Sequence, residues 1–268
     1  MLLHEVGDHD VALEMHEKAL GIRSKHFGDD HHHTAHSLEG LANLLHEKGQ
    51  LTNAEALHKK ALSIRKKKLG EDHPLTASSL HGLGTLLHDL GSFDESEEHH
   101  LQALDIRERL FGSDHPHTSD SLHGLGNVKL QKGEHDTAAD LLERALIIRR
   151  QTFGTDHHHT AHVFNSLGKL KHAQGDHAQA EILHKRAMDI FEKSFGSSHH
   201  HVVATKSIIE NIQFNMRDLK VTHITNQDSQ VMREKIFGNK DEVPIQPSGS
   251  PVSSLSSRFK KLFKIPQP

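Results

Sequence analysis

Apolar residues recur with helical spacing twice between residues 34 and 70. Leu38, Leu41, Ala42 and Leu45 fall at i, i+3, i+4 and i+7, one stripe along a helix predicted from Thr34 to Lys48. Gly49 ends it, as glycine does by taking the left-handed conformation past a last turn. Ala54, Leu57, Ala61, Leu62 and Ile64 then point inward from a second helix, Thr52 to Leu69, closed by Gly70. The stretch EDHPLT brings the chain back, with Thr76 placed to cap the next first helix.

The same hydrophobic and polar text repeats every 42 residues. Gly28, Gly70, Gly112, Gly154 and Gly196 keep that interval, and so do Gly7, Gly49, Gly91, Gly133 and Gly175. Ala12/Ala19, Ala54/Ala61, Ala138/Ala145 and Ala180/Ala187 follow in step, with Ser96/Ala103 as the variant pair. Small residues at fixed slots read as places where two helices approach closely, Ala54 and Ala61 against Ala42 or Gly84. Helix propensity alone does not explain a 42-residue interval. One hairpin cannot bury its stripe by itself, so neighbouring hairpins stack and share a core.

Leu83, Gly84, Leu87, Gly91, Ser96, Ala103, Leu104, Ile106 and Arg107 carry a spacing that resembles the tetratricopeptide repeat (TPR). The 42-residue unit, seen in ALSIRKKKLGEDHPLTASSL and ALDIRERLFGSDHPHTSDSL, is similar to the repeats of kinesin light chains and nephrocystin-type scaffolds. The resemblance covers residues 1–212 and implies an all-α TPR superhelical solenoid of antiparallel helix pairs. Its units are a partial repeat over 1–33, four full repeats over 34–201, capping helices over 202–240 and a tail over 241–268. The heptad region with which kinesin light chains grip the motor heavy chain has no counterpart here, and the first residues read as the last turns of a first helix.

Composition changes the picture in one respect. The chain has no cysteine, tyrosine or tryptophan but thirty histidines in 268 residues. His16, His58, His100 and His184 share one slot on the second helix; His4, His46, His88 and His172 share one near the end of the first; His9, His135 and His177 share a third. Such repeats usually carry tyrosine there, so the imidazoles read as half-buried aromatic replacements whose polar edges find backbone partners. His31, His73, His115, His157 and His199 align with the Asp-His-Pro turn of the family and read as structural. The additional His32, His33, His158, His159, His200 and His201 suggest adventitious metal binding at most, because adjacent loop residues are expected to point in different directions. Neutral buried imidazoles also predict a fold that weakens below about pH 6.5.

Other classes are disfavoured. A formal net charge of −4 gives no basic field for nucleic acid. No H-E-x-x-H, G-x-S-x-G, Walker or Rossmann fingerprint is present, and the Ser, His and Asp residues recur in every unit where a catalytic site would be singular. No enzymatic activity, cofactor or resident metal is expected. The rival of another class is a histidine-rich metal- or proton-responsive protein.

In stacked hairpins the first helices line a concave face. By spacing, its candidate residues are His36, Glu39, Asn43 and His46, then Ser78, His81, Thr85 and His88, then Asp120, His123 and Asn127, and last His162, Asn165, Lys169 and His172. Polar side chains with few apolar anchors suit an extended peptide; the alternative is a solvated helix face. In kinesin light chains the corresponding slots carry Asn and basic residues that grip acidic cargo motifs. Only Asn165 keeps the asparagine of one such slot, which Glu39, His81 and His123 fill elsewhere. The reading is a non-enzymatic adaptor, cytoplasmic and associated with the cytoskeleton. Its partners are protein or peptide ligands, motor cargo or a kinesin heavy chain complex, with a ciliary or signalling scaffold as runner-up.

Past residue 241, Pro244, Pro247 and Pro251 among serines read as a linker. Leu255, Phe259, Leu262 and Phe263 then form a short stripe beside Arg258, Lys260, Lys261 and Lys264. Over 252–265 this basic amphipathic segment fits a weak contact with an anionic membrane or a partner groove, and Ser253, Ser254, Ser256 and Ser257 would weaken it if phosphorylated.

Overall fold

A computed structural model describes residues 9–217. In it the helices are α1 (His9–Phe27), α2 (His32–Glu47), α3 (Leu51–Leu69), α4 (Pro74–Asp89), α5 (Phe93–Phe111), α6 (Pro116–Gln131), α7 (His135–Phe153), α8 (His158–Ala173) and α9 (His177–Phe195). The repeat array as far as Lys206 is one compact unit, and residues 200–206 open a further helix. A second unit begins at Ser207, of which residues 207–217 are helical. His4 and the tail segment lie outside the described residues.

The helices pair as antiparallel hairpins, α2 with α3, α4 with α5, α6 with α7 and α8 with α9, and each second helix packs on the first helix that follows it. Successive first helices also touch, α2 with α4, α4 with α6 and α6 with α8. The second helices stand further apart, so the first helices form the inner face.

Predicted boundaries hold to within two residues, but the caps differ from expectation. Thr76 is not the N-cap. That position is His73, whose Nδ1 accepts the Leu75 N–H at 3.1 Å. The Thr76 hydroxyl instead donates to the Gly70 carbonyl at 2.8 Å and ties the end of α3 to the start of α4. Gly70 itself sits at φ 93°, a conformation that a side chain would strain. His31, His115, His157 and His199 repeat the His73 cap, and the rings of Phe27, Phe111, Phe153 and Phe195 stack on those four imidazoles.

The core follows the stacking. Leu62 of α3 clusters with Leu80, Leu83 and Leu87 of α4 and Ala103 and Ile106 of α5, so one core spans three helices. Leu122 of α6, Leu142 and Ile148 of α7 and Leu167 and Leu170 of α8 repeat it. Ala42, Ala54 and Ala61 are fully buried, as helices in close approach require.

Gly84 serves a different purpose from the one its spacing suggested. A Cβ there would come within 3.0 Å of the His100 imidazole, and one on Gly124 would come within 2.4 Å of it. These glycines clear room for a ring rather than for a neighbouring backbone. The expectation of half-buried imidazoles with backbone partners therefore fails for that slot: His58, His100 and His184 are fully enclosed. Neither nitrogen of His58 meets a hydrogen-bonding group, nor does Nδ1 of His100. His184 uses a side chain, its Nδ1 lying 2.5 Å from Asn165 Oδ1.

Candidate functional site

The fifteen sequence-predicted groove residues all lie on α2, α4, α6 and α8, and none is buried. His36, Asn43, Thr85 and Lys169 are exposed; the other eleven are half-buried. The repeat brings side chains of successive first helices together one residue off the equivalent slot. His46 Nε2 lies 2.8 Å from Asp89 Oδ2, joining α2 to α4, and His123 Nε2 lies 2.9 Å from Ser166 Oγ, joining α6 to α8.

Several of these residues are engaged in the scaffold. Glu39 takes a bidentate pair from Arg65, both contacts 2.8 Å, and Asp120 receives Arg149 at 2.9 Å. Ser78 and Thr85 return their hydroxyls to the Pro74 and His81 carbonyls of their own helix. His88 donates to Asp89 and meets Phe93 edge-on, and His172 meets His177 across the hairpin turn. His36, Asn43, His81, Asn127, His162 and Lys169 remain as the face a ligand would meet, beside His123 and Asn165, which each commit one polar atom to Ser166 and His184; Asn127 Nδ2 lies 3.4 Å from His123 Nε2.

The electrostatics of that face follow from partial dehydration. Loss of water holds His81, His123 and His162 well below the ordinary imidazole range, and neighbouring cations push the same way, so all three are neutral at pH 7. Dehydration also lowers Lys169, an effect that the Asp89 carboxylate opposes. Burial works to raise Asp89, but hydrogen bonds from His46 and His88 outweigh it and hold the carboxyl well below the usual range. The face presents neutral donors and acceptors with one lysine among them, an arrangement that reads main-chain amides more readily than a single charge.

Beneath the face runs an arginine ladder, of which the repeat motif carries one position, Arg107. Arg23, Arg65 and Arg107 each reach the serine fourteen residues on, Ser37, Ser79 and Ser121, at 2.6–2.8 Å. Arg149 meets Val163 at that place and turns to Ser119 and Asp120 instead. In the next unit Phe191 replaces the arginine, and the buried Thr205 hydroxyl has no hydrogen-bond partner. The available signal was a 42-residue Arg series in phase with a Ser series.

Comparison with known proteins agrees with this geometry. A tetratricopeptide-repeat family model matches residues 1–67, 37–95, 81–150 and 122–193. The chain belongs to the tetratricopeptide-repeat family. No curated protein sequence matches it. Among solved structures, BtubC (BKLC) from P. vanneervenii is similar with a TM-score of 0.57 at 18% identity, over 93% of this chain and 98% of that one. A putative kinesin light chain of Podosopora anserina with nearly identical TPR-like repeats is similar at 25% identity and a TM-score of 0.54, over 72% of this chain and 91% of that one. A point variant of that protein gives 0.55 at the same identity and coverage. The TPR array is thus of the kinesin light chain type.

Proposed function

We propose that this TPR protein is a non-catalytic adaptor that holds an extended segment of another protein along the inner face of its first helices. The observation that carries the reading is the in-phase row of unburied polar side chains on α4, α6 and α8, His81, His123, Asn127, Asn165 and Lys169. Equivalent slots one repeat apart match the uniform chemistry of a peptide backbone, and neutral imidazoles and amides supply both donors and acceptors to it. Similarity to a putative kinesin light chain favours cargo or a motor complex as the partner, and a cytoplasmic, cytoskeleton-associated setting. None of the described helices is long and apolar enough to cross a membrane.

The test is affinity capture with the full chain and with an Asn127→Ala/Lys169→Glu variant, both read by mass spectrometry. Both residues sit outside the core, so the variant is expected to melt like the parent. Motor-associated proteins or their cargo retained by the parent and lost by the variant support the reading. Identical partner sets from a folded variant sink it.

A further inference from the structure

The triple-histidine turns were expected to splay their rings, and the structure does the opposite. His31, His32 and His33 each place a ring nitrogen within 4.8 Å of the others, and His157, His158 and His159 do the same 126 residues later. Each triplet opens a helix: its first ring is the N-cap, and the next two occupy the first turn of α2 or α8. Neighbouring rings stand 4.2–4.4 Å apart, tilted by 31–44°. A stacked phenylalanine, Phe27 or Phe153, holds the cap ring from behind. The turn is fixed further by the Thr34 or Thr160 hydroxyl, which donates to the Gly28 or Gly154 carbonyl.

We infer that these two turns are equivalent three-histidine sites for a late first-row divalent ion, zinc, nickel or copper. Neutral imidazole suits those ions, and three protein nitrogens leave a fourth tetrahedral position for water or a partner's side chain. Zinc–nitrogen bonds of about 2.0–2.1 Å need the nitrogens to close in from their present spacing, which side-chain rotation at a helix start permits. Ligation by the cap ring competes with its bond from the His33 or His159 N–H, a contact of 3.2 Å at the long limit of such bonds.

The other turns provide internal contrasts. In the two turns that begin α4 and α6, Pro74 and Pro116 take the middle place, leaving one and two histidines. The third triplet, His199 to His201, has similar ring spacing, but His201 is drawn inward against Phe191 at 5.0 Å and His162 at 4.6 Å. Its nitrogens do not converge as those of the other two triplets do. The inference stands apart from peptide binding, since the turns lie at the start of the first helices rather than along their inner face.

Equilibrium dialysis of the untagged full chain against zinc chloride, with the protein-bound metal counted, tests it. Two ions per chain are expected. His32→Ala/His33→Ala should leave one, and adding His158→Ala/His159→Ala should leave none, while His200→Ala keeps two. The cap rings stay in place throughout, so an unchanged melting temperature without metal verifies the fold. No retained zinc, a count that survives the quadruple variant, or a loss on His200→Ala would each overturn the assignment.

Discussion

Acidification should unfold this array through its sealed imidazoles. Enclosure away from water lowers His58 to about 4, His100 to about 3 and His184 to about 4, against an ordinary value of 6.5. Because the folded values lie below the unfolded ones, the unfolded chain binds the extra protons as pH falls. Stability is therefore complete above pH 6.5 and declines from there down through the folded values near 4. One pH unit below 6.5 each ring costs about 1.4 kcal/mol, so three cost about 4 kcal/mol. That is a large part of the roughly 5–15 kcal/mol typical of a domain. The assay is urea unfolding at pH 7.5 and 5.5 for the parent and for His58→Leu/His100→Leu. Leucine fits the slot, since Leu142 fills it on α7, in the third hairpin, at full burial beside Gly126. The variant should recover about 3 kcal/mol of the acid loss, two protons' worth. A variant as acid-sensitive as the parent would refute the argument, because the titrating groups would then lie elsewhere.

Other substitutions separate the remaining parts of the scaffold. His73→Ala should cost about 1 kcal/mol in urea unfolding and His73→Asp much less, since aspartate restores an acceptor for the Leu75 N–H. Arg65→Met strands the Glu39 carboxylate and should cost about 3 kcal/mol, whereas Arg107→Met leaves no paired acid behind and should cost clearly less; equal losses would reject the distinction. Gly124→Ala should lower the melting temperature by driving a methyl into the His100 ring, and His100→Ala should relieve it when the two are combined.

The hairpins were legible because their signals are local. An apolar stripe at helical spacing, a glycine past each last turn and a 42-residue interval each depend on residues close in the chain. The environment of the histidines was not legible, because it is set by residues on three helices. His100 belongs to α5, yet its enclosure depends on Gly84 of α4 and Gly124 of α6, 16 and 24 residues away. The groove was legible as a set of positions but not as a set of available groups. Glu39 looks like a surface acid until Arg65, 26 residues on, is seen to claim both its oxygens.

The departures from the repeat carry as much information as the repeat itself. A slot filled identically in every unit shows what packing tolerates, and one filled differently shows what that slot was supplying. Val163 lacks the hydroxyl that its counterparts offer, so Arg149 swings to Asp120 and commits a groove carboxylate to the scaffold. Phe191 removes the arginine altogether, and its ring then gathers His162 and His201 on the inner side. That gathering pulls the third histidine triplet out of the arrangement its two relatives keep. A change on a second helix thus decides both the polarity of the inner face and which turn presents three converging nitrogens. The stacking of units couples the buried ladder to every surface above it.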